Sequence, residues 1–352
     1  MYDPLPFLKK ILSIPGLSGY EDPVRQVIAG EWAPWVNESR TSRLGSLYGI
    51  RNGSGETPRP RILLAAHMDA IGLMATLVQD GFIHFTEIGG VDPRILPGQK
   101  VIVHGRQDLP GVIGQPAARL LPGSIGKKTV PMEHLLVDVG LSPEETGSLV
   151  RPGDLISFAQ QPIELTDNTL AGHTLDNRAS VAALSVCLNE LSSIRHTWDV
   201  WAVATVQEEE TLAGAFTSPF DVQPDLAVAI DVTFAKGPGS SDHRTFPFGK
   251  GITLGWGPNT HPAVFDAFKK VAESLDIPFH TEVYPAYSGT DAMGLQITAA
   301  GIPSMVVSIP IRYMHTPVEM VSLKDIQRAG HLLAQFIANL EPDFVNQMRW
   351  ED

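Results

Sequence analysis

The chain has 352 residues, 43% hydrophobic and 18% charged, an ordinary globular make-up with room for more than one core. Its formal net charge of -13 argues against nucleic acid or an anionic membrane as partner and leaves acids available for cation binding. One cysteine, Cys187, excludes an internal disulfide and reads as a small buried hydrophobe; with no leader pattern and no apolar run of spanning length, the expectation is a soluble cytoplasmic protein.

Residues 4–12 have helical spacing and are stopped by Pro15-Gly16. Residues 21–35 predict a second helix, with acids in its first turn. Residues 61–66 read as a short buried strand running into His67. Between 71 and 164 the texture changes. Short β-like pieces at 72–78, 82–86, 100–104, 112–113, 135–139 and 155–158 alternate with Pro/Gly turns, and no helix of any length is expected. This predicts a small, barrel-like β-domain over 71–164, inserted into an α/β domain made of 1–70 and 165–352. After Gly172 come a helix (177–191), two strands (199–206 and 225–230), a helix (261–275), a strand (278–283), a short helix (292–300), a strand (305–309) and a final helix (323–340). Helices alternating with buried strands imply a mixed, mostly parallel sheet flanked by helices, a three-layer α/β sandwich.

The apolar run over 200–207 ends in Glu208-Glu209, with Glu210 next. A core strand does not normally finish in acids. Where the chain bends, both carboxylates can reach one cleft, one to bind a metal and the other to move protons. An acid pair alone is more often a solvated loop. Other candidates sit beside strand ends or turns: His67 and Asp69, Asp231, and His315. Ligands in α/β sheets gather outside the carboxyl ends of strands. Asp176 directly precedes a helix and reads equally well as its N-cap. Each residue has an ordinary structural reading; their matched positions beside the acid pair point to a metal site. Imidazole and carboxylate donors without cysteine suit Zn²⁺, and also Co²⁺ or Mn²⁺, in a catalytic rather than a structural site. In an extended segment His67 and Asp69 share a face, so Asp69 can orient the His67 ring.

His67-Met68-Asp69, Leu175-Asp176-Asn177-Arg178, Val206-Gln207-Glu208-Glu209, Ile230-Asp231-Val232-Thr233, Gly289-Thr290-Asp291-Ala292 and Arg312-Tyr313-Met314-His315-Thr316-Pro317-Val318-Glu319 occur in this order. Together they resemble the tetrahedral aminopeptidases, co-catalytic metallopeptidases with dodecameric members. The likeness runs over nearly the whole chain, including Pro15-Gly16-Leu17-Ser18-Gly19-Tyr20. It implies a zinc-peptidase/phosphorylase-like fold and two divalent metal ions per subunit, Zn or Co first and Mn third. Asp176 would bridge the ions, His67 and Asp231 completing one site and Glu209 and His315 the other. The same likeness implies Glu208 as general base and acid and Asp69 as support for His67; the bond after the bridging Asp is commonly cis in the family, and whether Asp176-Asn177 keeps that geometry stays open in the sequence. It further implies hydrolysis of N-terminal residues from short peptides, and a homo-oligomer in which the inserted domain makes dimers that can build a dodecamer.

Three features depart from the family's usual pattern: Ala70, where Glu is frequent; Asn177, where Asp is usual; and the stretch Glu210-Thr211-Leu212-Ala213-Gly214 in place of a Gly- and Arg-containing loop. They bear on metal affinity, cleft shape and activity, so a catalytically impaired member stays open. The side-chain preference is open too, its pocket expected near 289–291 and the loops after Ile230 and Glu210. A related dinuclear deacylase or carboxypeptidase-like amidohydrolase would need a cationic clamp, for which Arg178 and Arg312 are candidates beside their ordinary reading as ion-pair residues. A glycosidase pairing Glu208 with Asp231 or Asp176 leaves the histidines unexplained.

Overall fold

The computed structural model describes residues 2–123, 125, 128–240 and 243–348. The chain opens with α1 (Leu5–Leu12), α2 (Asp22–Trp32), β1 (Glu38–Thr41), β2 (Leu47–Arg51) and β3 (Arg61–His67). There follow β4 (Gly72–Gln79), β5 (Phe82–Ile88), β6 (Lys100–His104), β7 (Asp108–Gly114), β8 (Leu136–Asp138), α3 (Pro143–Leu149) and β9 (Leu155–Phe158). Then come β10 (Ile163–Leu165), β11 (Thr169–Gly172), α4 (Leu175–Leu191), β12 (Asp199–Thr205), α5 (Glu208–Thr211), α6 (Ala213–Val222) and β13 (Leu226–Phe234). The last part holds β14 (Ile252–Trp256), α7 (Pro262–Ser274), β15 (Phe279–Val283), α8 (Ala292–Ile297), β16 (Ser304–Arg312), β17 (Glu319–Ser322), α9 (Leu323–Ala338) and α10 (Phe344–Gln347).

At the centre of the large mixed sheet, β12, β3, β13 and β16 lie side by side and parallel. Their residues are buried almost without interruption, because helices cover both faces. One face, carrying Leu64, Ala204, Val228 and Val307, packs with buried residues of α1, α2, α4, α7 and α9. The other, carrying Leu63, Ala65, Ala227, Ala229 and Val306, packs with Val222 of α6 and Ala292 and Leu295 of α8. Strands β4 to β9 close into a separate antiparallel barrel around its own core, which includes Leu73, Ile83, Val103, Val137 and Ile156. The expected architecture, a helix-flanked mixed sheet with an inserted barrel, is the one observed.

The differences are local. The inserted stretch does contain a helix, α3, started by a capping box in which Ser142 and Glu145 bond reciprocally; Ser142-Pro143-Glu144-Glu145 was the available signal. Strands β1 and β10 escape a burial-pattern reading because all their residues are exposed. The 292–300 helix stops at Ile297. Asp231 is not past a strand end: β13 runs on through it to Phe234. Among the described residues no helix is long and apolar enough to cross a membrane.

Where barrel and sheet meet, the Phe158 ring stands edge-on to His173 with centroids 5.1 Å apart. Burial, helped by the Arg178 charge, lowers the His173 pKa from 6.5 to about 3. The unfolded chain therefore takes up a proton near pH 6.5 that the folded chain refuses until about pH 3. Stability from this group is complete above 6.5 and falls as pH drops, by at most about 1.4 kcal/mol per pH unit. His173→Phe is expected to flatten the acid side of a melting-temperature profile; an unchanged slope would assign the acid lability elsewhere.

Candidate metal centre

The site lies at the carboxyl end of the parallel strands. β3 and β13 run in register through Ala65 and Ala229, so two residues further His67 and Asp231 come out on the same face of the sheet. His67 Nε2 lies 3.8 Å from Asp231 Oδ1. Asp176 opens α4 but is not its N-cap: that position is Thr174, and Asp176 itself has non-helical φ −78°, ψ 104°. The peptide bond to Asn177 is cis. The two Asp176 oxygens face two different imidazoles, Oδ1 at 3.2 Å from His67 Nε2 and Oδ2 at 3.3 Å from His315 Nε2. Glu209 Oε2 is 3.5 Å from His315 Nε2, and Glu208 Oε2 is 3.7 Å from His67 Nε2.

Positive φ at Gln207, 57°, turns the chain out of β12 and brings the acid pair into this group. The backbone N–H groups of Glu208 and Glu209 then donate to Asp69 at 3.0 and 3.2 Å, and Ser18 donates its hydroxyl to the same carboxylate. Asp69 Oδ1 stands 3.4 Å from His67 Nδ1. Its shorter bonds go to the acid pair, so Asp69 holds that turn as well as facing the ring. All seven candidate residues, His67, Asp69, Asp176, Glu208, Glu209, Asp231 and His315, are thus brought together.

Three supports were not assigned from sequence. Glu319 accepts the N–H of Asp176 at 3.0 Å and that of His315 at 2.8 Å, clamping two segments with one carboxylate. Its only local signal was a Glu four residues after His315. Asp291 accepts the Thr205 hydroxyl at 2.5 Å. Glu21 accepts from Gly19 and Gln207, under the turn that presents the acid pair.

Donor atoms around one ion at 2.0–2.2 Å in tetrahedral geometry sit roughly 3.3–3.6 Å from each other. The His67–Asp176, Asp176–His315 and His315–Glu209 distances of 3.2, 3.3 and 3.5 Å fall at or near that range, and one donor atom each from His67, Asp176 and Glu209 lie within 4.8 Å of one another. The Gly90 carbonyl lies 3.0 Å from His315 Nδ1; a proton held there leaves the Nε2 lone pair facing the acids. The charge balance points the same way. Burial, reinforced by Asp231, Asp291 and Glu209, pushes Glu208 up to about 10. Burial and Asp176 push Glu209 up to about 8. Burial likewise drives Asp231 well above its usual range. Hydrogen bonding to Asp176 lifts His315 to about 9. In His67 burial opposes protonation but is overcome by Glu208, Asp176 and Asp69. A group of buried acids that must take up protons is short of positive charge, and divalent cations fit it.

The centre opens into a cleft of about 510 Å³, and the described residues lining it include no lysine or arginine. Arg178 is buried elsewhere, donating to the Met68 and Ile14 carbonyls. Arg312 donates to the Lys236 carbonyl and stacks over Phe248. Neither candidate clamp for a substrate carboxylate faces the site. At the three departures from the family's pattern, Ala70 bridges to Leu17, Asn177 donates to the Ile230 carbonyl at 2.9 Å, and Glu210 accepts the Gly89 N–H at 2.6 Å.

Residues 45–332 match the M42 glutamyl aminopeptidase family. The chain belongs to this family. A lysyl aminopeptidase from Pyrococcus furiosus is 34% identical over 95% of this chain and 97% of its own. Among solved structures, an aminopeptidase from the archaeon Desulfurococcus kamchatkensis superposes with a TM-score of 0.90 at 33% identity, covering 98% of this chain and 97% of that one. The TET1 peptidase of Pyrococcus horikoshii, which can assemble into a tetrahedron or a large octahedral shell, does so with 0.82 at 30% identity, over 96% of this chain and 100% of that one. The M42 chain is therefore a metal-dependent aminopeptidase, a peptide hydrolase.

In this M42 aminopeptidase the barrel reaches the centre through Gly89-Gly90. Gly89 has φ +72°, and a Cβ there would meet Ile71 Cγ2 at 2.6 Å and Glu209 Cβ at 3.4 Å. Gly89→Ala, strained at positive φ and clashing with Ile71, is expected to shift the Gly89-Gly90 segment that holds His315, lowering kcat/KM by on the order of 10²-fold, the cost of an ångström-scale misplacement. The fold should survive, as read by circular dichroism. Full activity in the folded variant would show that this segment does not position the centre.

Proposed function

We propose that this M42 aminopeptidase removes N-terminal residues from short peptides using two divalent ions per subunit, with Zn²⁺ or Co²⁺ preferred and Mn²⁺ a third candidate. The observation that supports it most is Asp176, whose two oxygens each face a different imidazole at 3.2 and 3.3 Å. His67, Asp176 and Asp231 would hold one ion, and Asp176, Glu209 and His315 the other. When bound, such ions supply Lewis acidity that lowers the pKa of the attacking water and polarises the scissile carbonyl. Glu208 takes the proton of that water and returns it to the leaving amine. Asp69 fixes the backbone of Glu208 and Glu209 and faces His67, and the cleft acids receive the substrate's free α-amine.

The protein is further read as a cytoplasmic homo-oligomer built from dimers, up to a dodecamer. Leu77, Phe82 and Val112 of the barrel (residues 71–164 as the dimerisation domain) stand 41–49% exposed, which supports this face as the contact. Metal analysis combined with an aminoacyl-arylamide panel, with and without chelator, tests the reaction, and native mass the assembly. Chelator-insensitive turnover, or fewer than two ions per chain in the active protein, would sink the dinuclear reading.

A further inference from the structure

Beyond the metal centre the cleft runs along β13 from Asp231 to Thr233 and across to Glu282 of β15 and Tyr284. Glu282 Oε1 accepts the Thr233 hydroxyl at 2.6 Å, and Oε2 accepts the Thr253 hydroxyl, also at 2.6 Å. These partners are neutral. Among the described residues no lysine, arginine or histidine charge acts on this carboxylate, and burial raises its pKa against the opposing bonds from Thr233, Thr253 and Tyr284. A half-buried carboxylate held in place by hydroxyls at the wall of a cleft and left without a counter-charge is a receptor for a cation.

The surroundings select the shape of that cation. Leu212, Val232, Phe234, Met293 and Met314 line the same cleft, apolar surface suited to a methylene stem. Asp231, one of the proposed metal ligands, and Thr233, which touches Glu282, are two residues apart on one face of β13, about 6.7 Å at strand rise. A lysine side chain spans roughly 6 Å from Cα to its ammonium. An α-amine at the acids of the centre thus leaves a basic side chain able to reach Glu282.

We propose that Glu282, positioned by Thr233 and Thr253, is the specificity determinant that selects peptides beginning with a basic residue, lysine or arginine. The inference rests on the aminopeptidase reading of the adjoining centre. It is tested on the metal-loaded enzyme with lysyl, arginyl, leucyl and glutamyl arylamides, and by calorimetric binding of L-lysine against L-norleucine, which keeps the stem and lacks the ammonium. Expected are kcat/KM values for the basic substrates at least about tenfold above the leucyl one, and a Lys/Leu ratio that collapses by about tenfold or more in Glu282→Gln. Lysine should bind at least about tenfold tighter than norleucine. Leucyl or glutamyl preference unaltered by Glu282→Gln overturns the specificity and leaves the aminopeptidase reading standing. Failure to hydrolyse any arylamide overturns that reading instead. The binding comparison then still decides on Glu282, because equal affinity for lysine and norleucine in the wild-type protein overturns its role whatever the turnover.

Discussion

Glu208→Gln is expected to lower kcat about 10²–10⁴-fold, the usual worth of a general base, while metal content stays at the wild-type level. The reason is geometric. The backbone of Glu208 is tied to Asp69 at 3.0 Å, so the side chain keeps its place when its charge is removed. Its carboxylate lies 3.7 Å from His67 Nε2 and lines the cleft, within reach of a water between the imidazoles. Glutamine keeps the shape and cannot accept the proton. The neighbour should behave differently: Glu209 faces His315 at 3.5 Å, and its loss should show first as weakened metal binding. Single-turnover rates on protein of verified metal content separate the two. Near wild-type turnover in fully loaded Glu208→Gln protein would remove Glu208 from the proton-transfer role.

Asp176→Ala is expected to strip metal from both positions and abolish activity. Loss of even an outer partner of a metal ligand costs about 10–100-fold in affinity, and Asp176 stands between both imidazoles, so a loss above about 10²-fold is expected. His315→Ala should instead spare the His67 and Asp231 side. Elemental analysis after dialysis reads this as ions per chain: two in the wild type, none in Asp176→Ala, one in His315→Ala. Retention of both ions in Asp176→Ala would sink the shared-carboxylate arrangement.

Much of this centre was legible along the chain. Buried runs of β-branched and small residues ending in His67 and before Glu208 announce strands of a covered sheet, since only strands shielded on both faces drop the polar alternation. The ordered short motifs then pointed, through their family resemblance, to the candidate ligands, which are of the few residue types that donate to metals. Local signals also misled. Asp231 looked like the residue after a strand, yet β13 continues, since the hydrogen bonds of β16 extend it through Thr233 and Phe234. Strand β1 pairs with β2 although all four of its residues are exposed, and no burial pattern could reveal it.

Chain order and residue type thus decided the fold class and the inserted barrel, and through the family resemblance named the candidate donors. The tertiary structure decided how those donors are held and what lies beside them. Glu319 clamps Asp176 and His315 across 143 and 4 residues. Gly90 meets His315 across 225, and Thr233 meets Glu282 across 49. Such contacts depend on the register of strands and the path of turns, which arise only when distant segments pack. No local propensity specifies them, because each residue alone is equally at home in solvent, a cap or a turn.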